Sequence, residues 1–143
     1  MGNGSDDLLA RLARVYLGPG TEMLRSENGY PKAPNYAFAN DADVISVPDQ
    51  GFRPSVRHLI DGITERTRMI YLANPENPAG TYLGSGELRA LHDAMPANAL
   101  LVLDSAYDDY VDDPGRPPVH SLVDGAANIV MSRTFSKIFG LAG

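Results

Sequence analysis

Short continuous apolar runs alternate along the chain with segments in which apolar residues recur every three or four positions. The first such segment opens at Ser5 or Asp6 and runs to Tyr16, with Leu8, Leu9, Leu12, Val15 and Tyr16 on one predicted helical face. Gly18-Pro19-Gly20 is its stop. A strand is predicted at 22–25, then a polar loop through Asn28-Gly29-Tyr30-Pro31, a short helix at 35–39 and a strand at 44–47 closed by Pro48. A helix follows over 54–63, with Val56, Leu59, Ile60 and Ile63 at helical spacing. Residues 68–73 read as a buried strand, and 86–95 as a helix with Leu88, Leu91 and Met95 on its inner side. Residues 99–104 and 126–131 read as two further buried strands. This alternation predicts an α/β layer fold with a largely parallel sheet. Each of the last three strands runs into a polar residue, and ligands of open α/β sheets gather beyond the carboxyl ends of strands.

Composition acts mainly by exclusion. A chain of 143 residues that is 43% hydrophobic and 21% charged matches one ordinary globular domain. No stretch approaches the roughly eighteen consecutive apolar residues of a membrane span. The first residues carry neither a basic region nor an apolar core, so no signal peptide is expected. Cysteine is absent, which removes disulfides, thiolate metal sites and thiol catalysis, and a cytoplasmic location fits. Twelve basic against eighteen acidic residues give a net charge of −6 without a cluster of Lys and Arg, which disfavours a nucleic-acid partner. His58, His92 and His120 stand apart from any partner at metal-ligand spacing, so no metal site is expected.

Four stretches carry candidate chemistry. Lys137 follows the last predicted strand in Arg133-Thr134-Phe135-Ser136-Lys137, before the small and apolar Gly140-Leu141-Ala142-Gly143. An isolated lysine reads as a surface charge, and its amine titrates near ~10.4. Hydroxyls of Thr134 and Ser136 on either side of Phe135, with apolar neighbours that would desolvate the amine, instead suit a lysine that anchors a carbonyl cofactor. Asp104 ends a buried strand. It reads either as a turn cap or as a carboxylate that keeps a pyridine nitrogen protonated. Tyr107 could reach the same side. Asn74-Pro75-Glu76-Asn77-Pro78-Ala79-Gly80-Thr81 is a rigid turn and a fixed mount for the Asn77 amide. Gly2-Asn3-Gly4-Ser5-Asp6 opens a helix, as ordinary capping or as exposed N–H groups for a phosphate. Tyr30 could stack on a flat ring.

Taken in order, these motifs resemble the fold-type I aminotransferases of class I/II, and within them the histidinol-phosphate aminotransferase group. The resemblance covers essentially the whole chain, and it implies pyridoxal 5′-phosphate (PLP) as cofactor. It implies a three-layer α/β/α large domain, of which residues 1–143 would be the central, incomplete part. Lys137 would bind the cofactor covalently and move the substrate proton. Asp104 would face the ring nitrogen, Asn77 and Tyr107 the 3′ oxygen, and Tyr30 the ring. Gly4, Ser5 and Asp6 at the helix start, with Thr134 and Ser136, would hold the phosphate. The implied reaction moves an amino group between histidinol phosphate or an aromatic amino acid and 2-oxoglutarate, in amino-acid and specifically histidine biosynthesis. The complete enzyme would be a homodimer.

Some positions depart from the family pattern. Ser105 stands where an acidic residue is common, and Ala79 where threonine is usual. The loop around Tyr30 lacks the family's Pro-Thr lead-in and second tyrosine. Family members are more than twice as long, with an N-terminal arm, a phosphate-pairing arginine and a small domain that grips the substrate carboxylate. On that basis the isolated chain is expected to bind PLP weakly, to be inactive, and to expose apolar surface. Two other readings stand beside this one. One is a PLP-dependent decarboxylase or lyase of the threonine-phosphate type. The other is a non-catalytic nucleotide-binding α/β domain, although the glycine-rich phosphate-loop patterns are absent.

Overall fold

The computed structural model describes residues 2–113 and 119–142. Its strands are β1 (Glu22–Ser26), β2 (Asp43–Val47), β3 (Thr67–Ala73), β4 (Leu100–Asp104) and β5 (Ile129–Ser132). They form one five-stranded sheet in the order β2-β1-β3-β4-β5, and every neighbouring pair is parallel. Helix α1 (Gly4–Tyr16) precedes β1, and α2 (Ala33–Phe38), α3 (Val56–Asp61) and α4 (Ser85–Ala94) connect the first four strands in turn. Short 3-10 turns at Asp108–Tyr110 and Val119–Leu122 lie between β4 and β5.

Alternation of side chains along each strand sends neighbouring residues to opposite faces. On one face Met23, Met69, Tyr71, Leu100 and Val102 pack against Leu9, Ala13 and Leu17 at α1 and Ala33 and Ala37 of α2. On the other, Leu24, Ile70, Leu72, Leu101 and Leu103 meet Leu59 of α3 and Leu88 and Leu91 of α4. The result is three layers. Because β3 and β4 are covered on both sides, their central residues, 69–73 and 100–103, form continuous largely apolar runs rather than alternating ones. A fully enclosed residue such as Leu101 or Leu103 contributes roughly 1.5–3 kcal/mol through burial.

Several predicted details shift. Val15 is 78% exposed, and Ala13 takes the inward place beside Leu9. An alanine at i+4 lets α1 approach the sheet closely, which turns position 15 out to solvent. The helix predicted at 54–63 is confined to Val56–Asp61, because the Ser55 hydroxyl accepts the His58 N–H at its start and Gly62 ends it. The last strand begins at Ile129, and 126–128 form the turn that leads into it.

The path of the chain has one reversal. It runs outward from β1 to β2, then returns across β1 to β3 and proceeds to β4 and β5. Loops leaving β1 and β3 therefore diverge in opposite directions and open a crevice at the carboxyl ends of these strands.

Candidate active site

A cavity of about 580 Å³ lies beyond the carboxyl ends of the strands. Its lining draws on the whole chain: Gly4, Ser5 and Asp6 from the start of α1, Tyr30 after β1, Asn77 after β3, Asp104 and Tyr107 at and after β4, and Thr134, Ser136 and Lys137 after β5. All ten residues singled out in the sequence border this one space. Register explains part of the convergence, since Ala73, Asp104 and Ser132 are partners on one rung at the ends of three adjacent strands.

Asp104 is 7% exposed, so its charge depends on the donors around it. The Tyr71 hydroxyl donates to Oδ2 at 2.9 Å and the Ser132 hydroxyl to Oδ1 at 3.1 Å. Burial raises the carboxyl above its ordinary value, and these two bonds with the Ala106 N–H pull it back. Tyr71, itself buried, has its phenol raised by burial and by Asp104, so it keeps its proton and donates it. Asp104 is thus an oriented carboxylate facing the cavity. Neither donor was singled out in the sequence, where Tyr71 read as part of a strand and Ser132 as the residue that follows one. The signal that could have found Tyr71 is its parity: two residues before the end of β3, it shares a sheet face with Asp104.

The start of α1 is built differently from expectation. The Asn3 N–H donates to the Asp7 carboxylate at 3.0 Å and the Gly4 N–H to the Gly2 carbonyl at 2.9 Å, so two of the helix-start donors already have partners within the chain. The Asp6 carboxylate accepts from the Tyr36 hydroxyl at 2.6 Å, the Tyr30 hydroxyl at 3.2 Å and the Lys32 ammonium at 3.4 Å. The Tyr36 bond is the main cause that holds Asp6 below the usual carboxylate range. Burial and Asp6 push the Tyr30 phenol up to about 12. Tyr36, six residues after Tyr30, thus supplies a second tyrosine beside this loop.

Opposite lies the segment after β5. Thr134 donates its hydroxyl to Ser136 Oγ at 2.9 Å and accepts the Ser136 N–H at 3.1 Å, a tight turn that leaves the Ser136 proton available. The Lys137 ammonium sits 5.3 Å from the centroid of the Tyr107 ring. Lys137 is exposed, as are Phe135, Ile138, Phe139 and Leu141 around it. The expected desolvation of the amine by these apolar neighbours is therefore not provided within this chain.

The sequence model for aminotransferase class I and II matches residues 1–143. This chain belongs to the class I and II aminotransferase family. The histidinol-phosphate aminotransferase of Granulibacter bethesdensis is 45% identical to it over 142 residues, which are 99% of this chain and 38% of that protein. The corresponding protein of Maricaulis maris is 40% identical over 141 residues, again 99% of this chain but 39% of the relative. The chain thus spans about two fifths of the length of these curated relatives. Among solved structures, the histidinol-phosphate aminotransferase of Sinorhizobium meliloti in complex with pyridoxal 5′-phosphate superposes with a TM-score of 0.90 at 34% identity, covering 99% of this chain and 39% of that one. The family match argues against the non-catalytic nucleotide-binding reading.

Next to this cavity, one residue of the turn 74–81 is buried in an unexpected way. Glu76 is 3% exposed, and burial together with the nearby Asp49 carboxyl pushes its own carboxyl from an ordinary 4.5 up to about 7. A carboxyl raised on folding contributes stability that is fully present below its unfolded value and is lost as pH rises through the folded one. Stability is therefore expected to decline between pH 4.5 and 7 by on the order of 3 kcal/mol through Glu76. Thermal unfolding of the parent and of Glu76→Gln across that range checks this. The variant should gain on the parent as pH rises, and a difference independent of pH would count against it.

Proposed function

We propose that this chain is the cofactor-binding part of the large domain of a PLP-dependent aminotransferase that acts on histidinol phosphate, with 2-oxoglutarate as amino-group partner. One observation carries the reading: a buried, hydrogen-bonded carboxylate and an exposed lysine amine border the same cavity, with hydroxyls and a helix start between them. That donor set suits PLP. Asp104 complements a protonated ring nitrogen, Tyr30 offers a ring face, and Asn77 and Tyr107 offer an amide and a phenol to the 3′ oxygen. Ser5, Thr134, Ser136 and the N–H groups of Ser5 and Asp6, adjoining Gly4, suit the phosphate. Asp6 contributes through its backbone, since its carboxylate is turned to Tyr30, Tyr36 and Lys32.

When bound, PLP supplies an electron sink for the pair left as the substrate Cα–H bond breaks. Asp104 keeps the proton on the ring nitrogen, and Tyr71 and Ser132 keep Asp104 in place. Lys137 binds the cofactor covalently and, once its amine is free, carries the proton away from the substrate Cα. Tyr107, against which the Lys137 ammonium rests, limits where that amine swings. Names of the relatives support histidinol phosphate over an aromatic amino acid as donor, and transamination over decarboxylation.

The working enzyme is proposed to be a cytoplasmic homodimer of histidine biosynthesis. Among the described residues no helix is long and apolar enough to cross a membrane. The exposed Phe135, Ile138, Phe139 and Leu141 beside the cavity support cover by further polypeptide or a second subunit. The test is a graft of this segment over the matching 142 residues of the Granulibacter bethesdensis relative. Turnover of histidinol phosphate with 2-oxoglutarate is expected. A folded, PLP-loaded graft that turns over neither histidinol phosphate nor an aromatic amino acid would sink the proposal.

A further inference from the structure

Two buried charged residues outside the cavity meet beneath the two loops that diverge from β1 and β3. Arg25, near the end of β1, is 5% exposed and donates from Nε to the Ser26 carbonyl at 2.8 Å and from Nη2 to the Gly29 carbonyl at 2.6 Å. A third, longer bond runs from Nη2 to the Glu27 carbonyl at 3.3 Å. The guanidinium therefore gathers the loop that presents Tyr30. Glu76 faces it from the loop after β3. Its Oε1 accepts the Asn77 N–H at 3.1 Å, and the carboxylate also lies against the loop that presents Tyr30, at Gly29. Gly29 lies between the two heads: a methyl group there would meet Glu76 Oε1 at 3.2 Å and Arg25 Nη2 at 3.3 Å. Tyr30 and Asn77 both border the cavity, while Glu76 and Arg25 do not.

We propose that Glu76 is a positioning residue of this site, whose buried carboxylate joins the backbone of the Tyr30 loop to that of the Asn77 turn and so sets both side chains against the cofactor. The proposal deepens the aminotransferase reading and rests on it for what Tyr30 and Asn77 touch. The cost of the arrangement argues for a role: a buried carboxylate whose Oε2 has no hydrogen-bond partner is expensive to keep where a neutral residue would serve packing alone. The same orphan oxygen makes a selective test available. Glutamine can place its amide nitrogen at the Oε2 position and keep the accepting oxygen at Oε1, whereas alanine removes the acceptor altogether.

The experiment compares the parent chain with Glu76→Ala and Glu76→Gln by amide hydrogen exchange without cofactor, and then by PLP affinity. In Glu76→Ala the Tyr30 and Asn77 amides are expected to exchange at least about tenfold faster, with Leu101 and Leu103 of β4 unchanged, since only the local opening is altered. PLP binding should weaken by about the same factor as the two loops lose their mutual register. Glu76→Gln should restore both to within about twofold of the parent. A merely structural Glu76 would accelerate exchange across the sheet and show no selective rescue. Unchanged Tyr30 and Asn77 amides in a folded Glu76→Ala chain, or a glutamine variant as fast as the alanine one, overturns the proposal. Should Glu76→Ala fail to fold, Gly29→Ala replaces it, because its methyl intrudes between the two heads: acceleration at both amides supports the joint, and none overturns it. If the graft described above binds no PLP, the aminotransferase reading falls, while the exchange measurements still decide the joint itself.

Discussion

Replacing Lys137 by alanine is expected to leave the chain folded and to abolish its covalent capture of pyridoxal 5′-phosphate by borohydride. Lys137 is exposed, and its ammonium rests against the face of Tyr107, a contact worth about 0.5–1 kcal/mol at an exposed site. Truncation therefore removes little stability. The chain contains just two lysines, Lys32 and Lys137, so the site of capture is read without ambiguity from peptide masses. Lys32 is paired with Asp6 at 3.4 Å near the rim of the same cavity, which makes it the informative control. In the parent the added mass should fall on the peptide containing Lys137. Capture at Lys32 or the N-terminal amine with equal yield in the variant would show that the cavity does not direct the chemistry. In the grafted enzyme the same change should also lower turnover by at least about 10²–10⁴-fold, the range for loss of a positioned general base.

The second large effect concerns Asp104. An Asp104→Asn change keeps the shape of the side chain but removes the anion opposite the ring nitrogen, so turnover of the grafted enzyme should fall by about 10²–10³-fold, or on the order of 3 kcal/mol. The fold should survive. Burial already raises the Asp104 carboxyl, so its charge costs stability at neutral pH, and an amide relieves that cost. One of the two hydroxyls from Tyr71 and Ser132 must turn away from the new amide nitrogen, and a hydroxyl can rotate to do so. Thermal unfolding at pH 8 should thus show a variant no less stable than the parent, beside a large loss of activity. Near-normal turnover would remove Asp104 from the mechanism.

What the sequence discloses follows from how local each signal is. The runs 68–73 and 99–104 were legible as buried strands because a strand covered on both faces is apolar along its middle, here 69–73 and 99–103. Lys137, Asp104 and Asn77 were legible because each follows such a run and stands in a motif with a chemical reason. Val15 was misplaced because helical spacing gives a stripe but not the distance of approach, which here a small residue, Ala13, decides. Tyr71 and Ser132 were passed over because a donor to Asp104 is recognisable only once the register of β3, β4 and β5 is fixed. Glu76 was read as part of a turn. Its burial depends on Arg25 and Gly29, which lie on a different strand and loop, and no local pattern announces that meeting.

Because all five strands point the same way, every group that borders the cavity issues from one rim of the sheet, and the opposite rim contributes nothing to it. That far rim consists of short returns from helix to strand, with Pro19, Gly20, Asp41, Ala97, Asn98, Asp124 and Gly125 exposed on them. Those returns are the places to cut and rejoin the polypeptide, to insert a fluorescent reporter or to tether the molecule to a surface. A break there spares the rim that borders the cavity, whereas an insertion of equal length after β1, β3, β4 or β5 would fall directly among the residues of the site.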